Sequence, residues 1–193
     1  MESHGGLGCP LSYLFEKTLN KLELHSSKRW RELVLPQLRR KMLSIKYDKV
    51  YEFDLTGTAS FGDLEEEEVY EIYKDGRVAS HLLEPQLVKW FPALNHVKGC
   101  KGHDHVHNRD GRLFDAKNFT CSGGCRFMPS KMIGIGRTFD KEAFLEKAKD
   151  MTYIICDIVE FPKVRVIFKE GAGLARKYPK GSIPKSERDI LFS

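Results

Sequence analysis

No stretch of this chain approaches the roughly 18 consecutive apolar residues that a membrane-crossing helix needs. Its first residues, Met1-Glu2-Ser3-His4-Gly5, lack the basic and apolar regions of a secretory signal. Cysteine is sparse, with five in 193 residues (Cys9, Cys100, Cys121, Cys125 and Cys156). The number is odd and the spacing is not that of a disulfide scaffold, in a chain long enough to fold around a core without one. These absences lead to the expectation of a cytoplasmic protein in a reducing, intracellular compartment. Internal repeats and low-complexity tracts are missing, and so is the G-x4-G-K-[ST] pattern, which disfavours nucleotide hydrolysis.

What the chain does contain is enough apolar sequence for a core, 41% against 31% charged, in a length that suits one domain spanning 1–193. Lys and Arg total 32 against 27 Asp and Glu, a net charge of +5. The acids concentrate at Glu65 to Glu68, whereas bases gather at Lys28 to Arg31, Arg39 to Lys41, Arg126 to Arg137 and Arg176 to Lys185. A mild excess spread this way is compatible with a polyanionic partner.

Apolar residues at Leu11, Leu14, Phe15, Leu19 and Leu22 have helical spacing, and a second helix is expected from Lys28 to Met42, so 1–48 reads as a helical N-terminal region. Val50 to Leu55 alternates as a strand does. Val69 to Tyr73, Lys74-Asp75-Gly76 and Arg77 to Ser80 read as a β-hairpin, followed by a short helix from Gln86 to Trp90. A second hairpin is expected from Val97 to Asn108 and Arg112 to Thr120 around Asp110-Gly111, then a helix over 140–150 and strands at Tyr153 to Val159 and Val164 to Phe168. The glycines of Gly171 to Gly181 predict a loop. This order implies an α/β (α+β) fold with a central mixed β-sheet flanked by helices.

With a two-residue loop at Asp110-Gly111, paired residue numbers across the second hairpin sum to 221. Asp104 then faces Lys117, and Asp104, Asp115 and Lys117 share one face, with His105, Phe114 and Ala116 on the other. Two carboxylates and an ammonium held together suit Mg²⁺ or Mn²⁺ and the hydrolysis of a phosphodiester. Asp104, ten intervening residues and Asp115-Ala116-Lys117 resemble the D-x(n)-(D/E)-x-K signature of the PD-(D/E)XK nuclease superfamily, most closely a type II restriction endonuclease. The resemblance covers about 95–170. It implies a restriction-endonuclease-like core and a Mg²⁺-dependent endonuclease, a homodimer acting on double-stranded DNA. Asp104 and Asp115 would hold metal, and Lys117 would be the catalytic partner. Members often add an acid from an upstream helix; Glu16, Glu68 and Glu84 are candidates. Gly102-His103 stands where many members have proline before the first acid. A viral RNA endonuclease shares the motif.

Other readings use other residues. Cys100, His103, Cys121 and Cys125 have near-ligand spacing for a structural Zn²⁺, in the same enzyme or in a non-catalytic, zinc-stabilised nucleic-acid-binding module. A His-metal-finger nuclease would take His105 or His107 as general base, ahead of Asn108. For substrate contact, Asn118, Arg126, Lys131 and Arg137 are candidates, the arginines suiting phosphates or guanine edges.

Overall fold

The computed structural model describes residues 44–55, 62–99, 102–132 and 136–193. The helices expected before residue 43, and with them Glu16 and the bases at 28–31 and 39–41, lie outside the described residues, as does Cys100. The rest is built around one six-stranded mixed sheet with helices against both faces, the mixed α/β arrangement expected. Its strands are β1 (Val50–Asp54), β2 (Leu94–His96), β3 (His105–His107), β4 (Leu113–Phe119), β6 (Met151–Asp157) and β7 (Lys163–Glu170), in the spatial order β1-β7-β6-β4-β3-β2. All neighbours are antiparallel except β4 and β6, which run parallel over the whole of β4, from Leu113 opposite Met151 to Phe119 opposite Asp157. A short ribbon pairs β5 (Cys125–Arg126) with β8 (Ser182–Ile183).

The first expected hairpin is instead two helices, α1 (Glu66–Tyr73) and α2 (Gly76–Trp90). Asp75-Gly76 is not a hairpin turn but a helix start: the Asp75 carboxylate accepts the Arg77 amide at 2.8 Å and caps α2. The acidic run is likewise a helix start, with Glu65 and Glu68 in a reciprocal capping box at the head of α1. Ala79, Leu83, Leu87 and Trp90 then fall on one buried stripe of α2, and the short helix expected at Gln86 is the end of this longer one, which carries Pro85 inside it. That stripe covers one face of the sheet, where Phe91 meets Tyr51 and Phe168 edge-on and Phe53 stacks on Trp90 at 3.9 Å.

The opposite face carries Phe119, Tyr153, Ile155 and Ile167, packed with Phe127 and with Phe144 of α3 (Lys141–Lys149). The helix and strand expected after Asp140 are both present. Asp140 caps α3 through the Ala143 amide at 3.0 Å, and β6 is buried at every position. The loop expected over 171–181 is instead mostly helix: α4 (Gly171–Lys177) buries Leu174 and Ala175 against this core. Gly171 is there to let two backbones meet. A Cβ on it would lie 2.2 Å from the Ala148 carbonyl oxygen and 2.5 Å from that of Met151. A further short helix, α5 (Arg188–Leu191), is tied down by Asp157, whose Oδ2 accepts from Arg165 Nε and Nη2 and from Arg188 Nε at 2.9, 2.6 and 2.9 Å. Among the described residues no helix is long and apolar enough to cross a membrane.

Because the atoms crowding Gly171 are backbone and cannot swing aside, Gly171→Ala is expected to destabilise the fold by about 2–3 kcal/mol. A lowered thermal midpoint, followed by circular dichroism, checks this; an unchanged midpoint contradicts it.

Candidate active site

The second hairpin forms, but its loop is four residues, 108–111, rather than two. His105 faces Phe114 and Val106 faces Leu113, so paired numbers sum to 219, and His107 N–H donates to the Arg112 carbonyl at 2.9 Å. Asp110 is held inside this loop by Arg112 and by His107 Nδ1 at 2.7 Å, and Gly111 supplies the left-handed φ of 71° that closes it. The shift of two, an even number, moves every partner but leaves each side chain on its expected face.

β3 then leaves the sheet. Among the described residues its pairing to β4 ends at Phe114, and beyond that point β4 has a strand on one side only, β6. Asp104 sits where the strands part. Its amide donates to the Phe114 carbonyl at 2.9 Å, and its carboxylate Oδ2 accepts the Ala116 amide at 2.8 Å, the position a further strand would fill. That reach places the Asp104 carboxyl beside Asp115 instead of opposite Lys117, close enough for its charge to raise the Asp115 pKa. Lys117 Nζ donates to Asp115 Oδ1 at 2.7 Å, so the three side chains are brought together as the alternation of the strand predicts, with a different partner for Asp104.

The electrostatics of the trio are lopsided. Asp115 is buried, and burial pushes its carboxyl up to about 6, assisted by the neighbouring Asp104 and only partly opposed by the Lys117 ammonium. Burial pulls Lys117 down, but the charges of Asp115 and Asp104 outweigh it and hold the amine above its ordinary value. Two carboxyls therefore share one cation, and a buried carboxyl beside a half-buried one with too little positive charge is a donor set that suits a hard divalent cation. Among the described residues no group of three or more His, Cys, Asp and Glu is arranged to hold a metal, so a cation here would complete its shell with oxygens from water or substrate.

The other candidate residues are placed as follows. Glu68 is consumed by the α1 cap, and Glu84 bonds His96 Nε2 at 3.1 Å on the α2 side of the sheet. His105 is fully buried there, its Nε2 on the Glu84 carbonyl oxygen at 2.8 Å, and burial lowers its pKa. His103 is half-buried and Asn108 donates to the Pro92 carbonyl at 3.1 Å. Cys125 is buried in the core beneath Lys117 and its thiol is pushed up to about 12 by burial, whereas Cys121 is exposed with Lys185 Nζ 3.6 Å from its sulfur.

Beside Lys117 the unpaired edge of β4 forms the floor of an open cleft of about 560 Å³. Ala116, Lys117, Asn118 and Thr120 line it on the β4 side, the start of α2 (Gly76, Arg77, Ser80) forms one wall, and the turn 122–126 with Arg126 forms the other. Asn118 fixes the wall to the floor, its amide donating to the Gly76 carbonyl at 2.6 Å and to Ser80 Oγ at 3.1 Å. Lys131 is exposed on a short 3₁₀ turn and Arg137 donates to the Ser130 carbonyl, both outside the cleft lining. Arg77 and Ser80 were missed from sequence because their segment read as a strand; the Asp75 cap followed by apolar residues at 79, 83, 87 and 90 was the signal. Protein-family models, curated proteins and solved structures were each compared with this chain, and none matches it.

The raised Asp115 pKa fixes the sign of a pH effect. A carboxyl whose folded value lies above its unfolded 3.8 favours folding when protonated, and that contribution is lost as pH rises through about 6. Between about pH 4 and pH 7 the metal-free protein should therefore lose on the order of 1–3 kcal/mol from this group. In Asp115→Asn the loss should be absent, leaving the variant more stable than the parent at pH 7.5 in EDTA. Thermal midpoints across that range check both statements, and a variant less stable than the parent at every pH refutes them.

Proposed function

We propose that this chain is a divalent-metal-dependent endonuclease that hydrolyses phosphodiester bonds in double-stranded DNA, resembling the PD-(D/E)XK superfamily and, within it, a sequence-specific type II restriction enzyme. The observation that carries this reading is the contact of the Asp104 and Asp115 carboxyls, with Lys117 bonded to the second, where β3 departs from β4. The helix and strand that follow the motif, α3 and β6 alongside β4, also agree with the order that the resemblance implies.

In this reading Asp104 and Asp115 hold Mg²⁺, with Mn²⁺ as a substitute. Held there, such an ion would supply Lewis-acid polarisation of the phosphate and activation of water. The chain itself supplies orientation and charge. The Ala116 amide fixes one oxygen of Asp104, and Lys117 fixes Asp115, so neither carboxylate has to be ordered when substrate arrives. Lys117, cationic and lining the cleft, presents an ammonium to the phosphate and balances the charge that builds on its oxygens. Its charge is upheld by the two carboxylates, which outweigh its burial.

A duplex has two strands to cut, which fits a homodimer with one such site per strand. The free thiols of Cys121, Cys125 and Cys156 fit a reducing, intracellular setting. A structural Zn²⁺ would need Cys125, a core residue, to give up its proton.

The test is incubation of the purified protein with plasmid DNA and with an RNA transcript, in Mg²⁺ or EDTA. Discrete DNA fragments that require Mg²⁺ are expected, with cleavage lowered at least about 10³-fold by Lys117→Ala or Asp115→Asn while DNA binding persists. Cleavage of RNA alone would move the substrate to RNA. Cleavage unaffected by either substitution, or none of either polymer, would remove the proposal.

A further inference from the structure

The cleft along the open edge of β4 has a chemical character of its own. Among the described residues its charged side chains are Arg77, Lys117 and Arg126 and the acid Asp75, which pairs with Arg77 and caps α2, so the lining is basic with Arg77 partly neutralised. The remaining side chains are hydroxyls and an amide: Ser80, Asn118, Thr120 and Ser122. Among the described residues no aromatic or large aliphatic side chain lines it, and these residues offer no stacking platform for bases and no pocket for peptide side chains. Backbone contributes too. The Ala116 amide points out of the sheet toward Asp104, and alternation along the strand turns the N–H of Asn118 the same way, into the cleft. Gly76, Gly123 and Gly124 leave the walls low.

We propose that this cleft is a binding track for the sugar-phosphate backbone of nucleic acid, with Arg77 and Arg126 on opposite walls as phosphate contacts and no part in base recognition. The proposal rests on the nuclease reading for its purpose, since Lys117 belongs to both the cleft and the carboxyl pair and would hand the bound strand from one to the other. It does not rest on that reading for its test. Donors that meet phosphates fix the register of a strand on the protein and read no sequence, so with Arg77 and Arg126 on phosphates any sequence specificity comes from other contacts.

Binding of a fluorescein-labelled 20-base-pair DNA duplex is measured in EDTA, where nothing is cut, over a range of NaCl concentrations. Arg77→Ala combined with Arg126→Ala should weaken binding about 5- to 30-fold and reduce the slope of log Kd against log salt by about 1–2, equally for duplexes of unrelated sequence. Both arginines are exposed, so folding should be unchanged. Gly123→Glu, whose Cβ meets nothing within 4 Å, should weaken binding similarly by placing an acid in open space. Lys163→Ala, on β7 and outside this cleft, removes one charge and should leave the slope as it is. Parental affinity and slope in both cleft variants would overturn the track even if Lys117→Ala abolishes cleavage. Conversely, the expected losses would stand even if no cleavage is found. A loss confined to one duplex sequence would overturn the claim that the cleft ignores bases.

Discussion

Strand β4 is paired along its whole length on one side and almost abandoned on the other, and the site depends on that imbalance. The parallel ladder to β6, a strand buried at every position, holds β4 rigid. β3 pairs with it only as far as Phe114. A strand edge left unpaired inside a fold has to satisfy its amides some other way. Here a side chain does so: Asp104 takes the Ala116 N–H, and in doing so its carboxyl is drawn onto Asp115. The departure of β3 thus creates the carboxyl pair and opens the cleft in one step.

The placement of helices follows from the same sheet. α2 lies against the face that carries Phe114 and Asn118, and its first turn ends where the free edge of β4 begins, so Arg77 and Ser80 reach the cleft. On the opposite face α3 and α4 meet so closely at Gly171 that no side chain fits between them. Strand β4 is therefore clamped between packed layers while one of its edges stays open to solvent. Rigid support with one open edge is what an oriented constellation of polar groups requires.

Much of this was legible in the sequence, and the failures have physical causes. Period-two alternation puts Asp115 and Lys117 on one face whatever the loop length, and Asp104 joins them provided the error in register is even; the loop differs by two residues. The partner of Asp104 was not legible, because Asp110-Gly111 marks a turn without fixing its length, and His107 and Arg112, which close the loop around Asp110, read as strand. Asp75-Gly76 failed for a related reason: Asp-Gly serves equally as a hairpin turn and as a helix cap followed by a first residue. Only the buried stripe from Ala79 to Trp90 separates the two. At 171–181 glycine was read as flexibility, whereas Gly171 is a contact residue whose missing Cβ admits the neighbouring backbone. Local chemistry names the options, and contacts distant in sequence select among them.

Two buried aspartates in neighbouring strands differ in how their charge is compensated. Asp157 ends β6 with a side chain only 1% exposed, and its oxygens accept three guanidinium hydrogen bonds from Arg165 and Arg188 and the Val159 amide at 3.1 Å. Its charge is more than matched, and the network fastens α5 to the sheet. Asp115 has one ammonium and, against it, a second carboxyl, so its burial is poorly compensated and raises its pKa to about 6. A fold stabilised only by its own contacts gains nothing from that arrangement, since a neutral or apolar residue at 115 would cost less to bury. The trio carries two carboxyls against one ammonium, and in the proposed reading a divalent cation would relieve that deficit of positive charge. The same deficit explains why Lys117 stays charged on a buried stem, and so why a cation stands at the mouth of a cleft otherwise furnished with arginine, hydroxyl and amide donors.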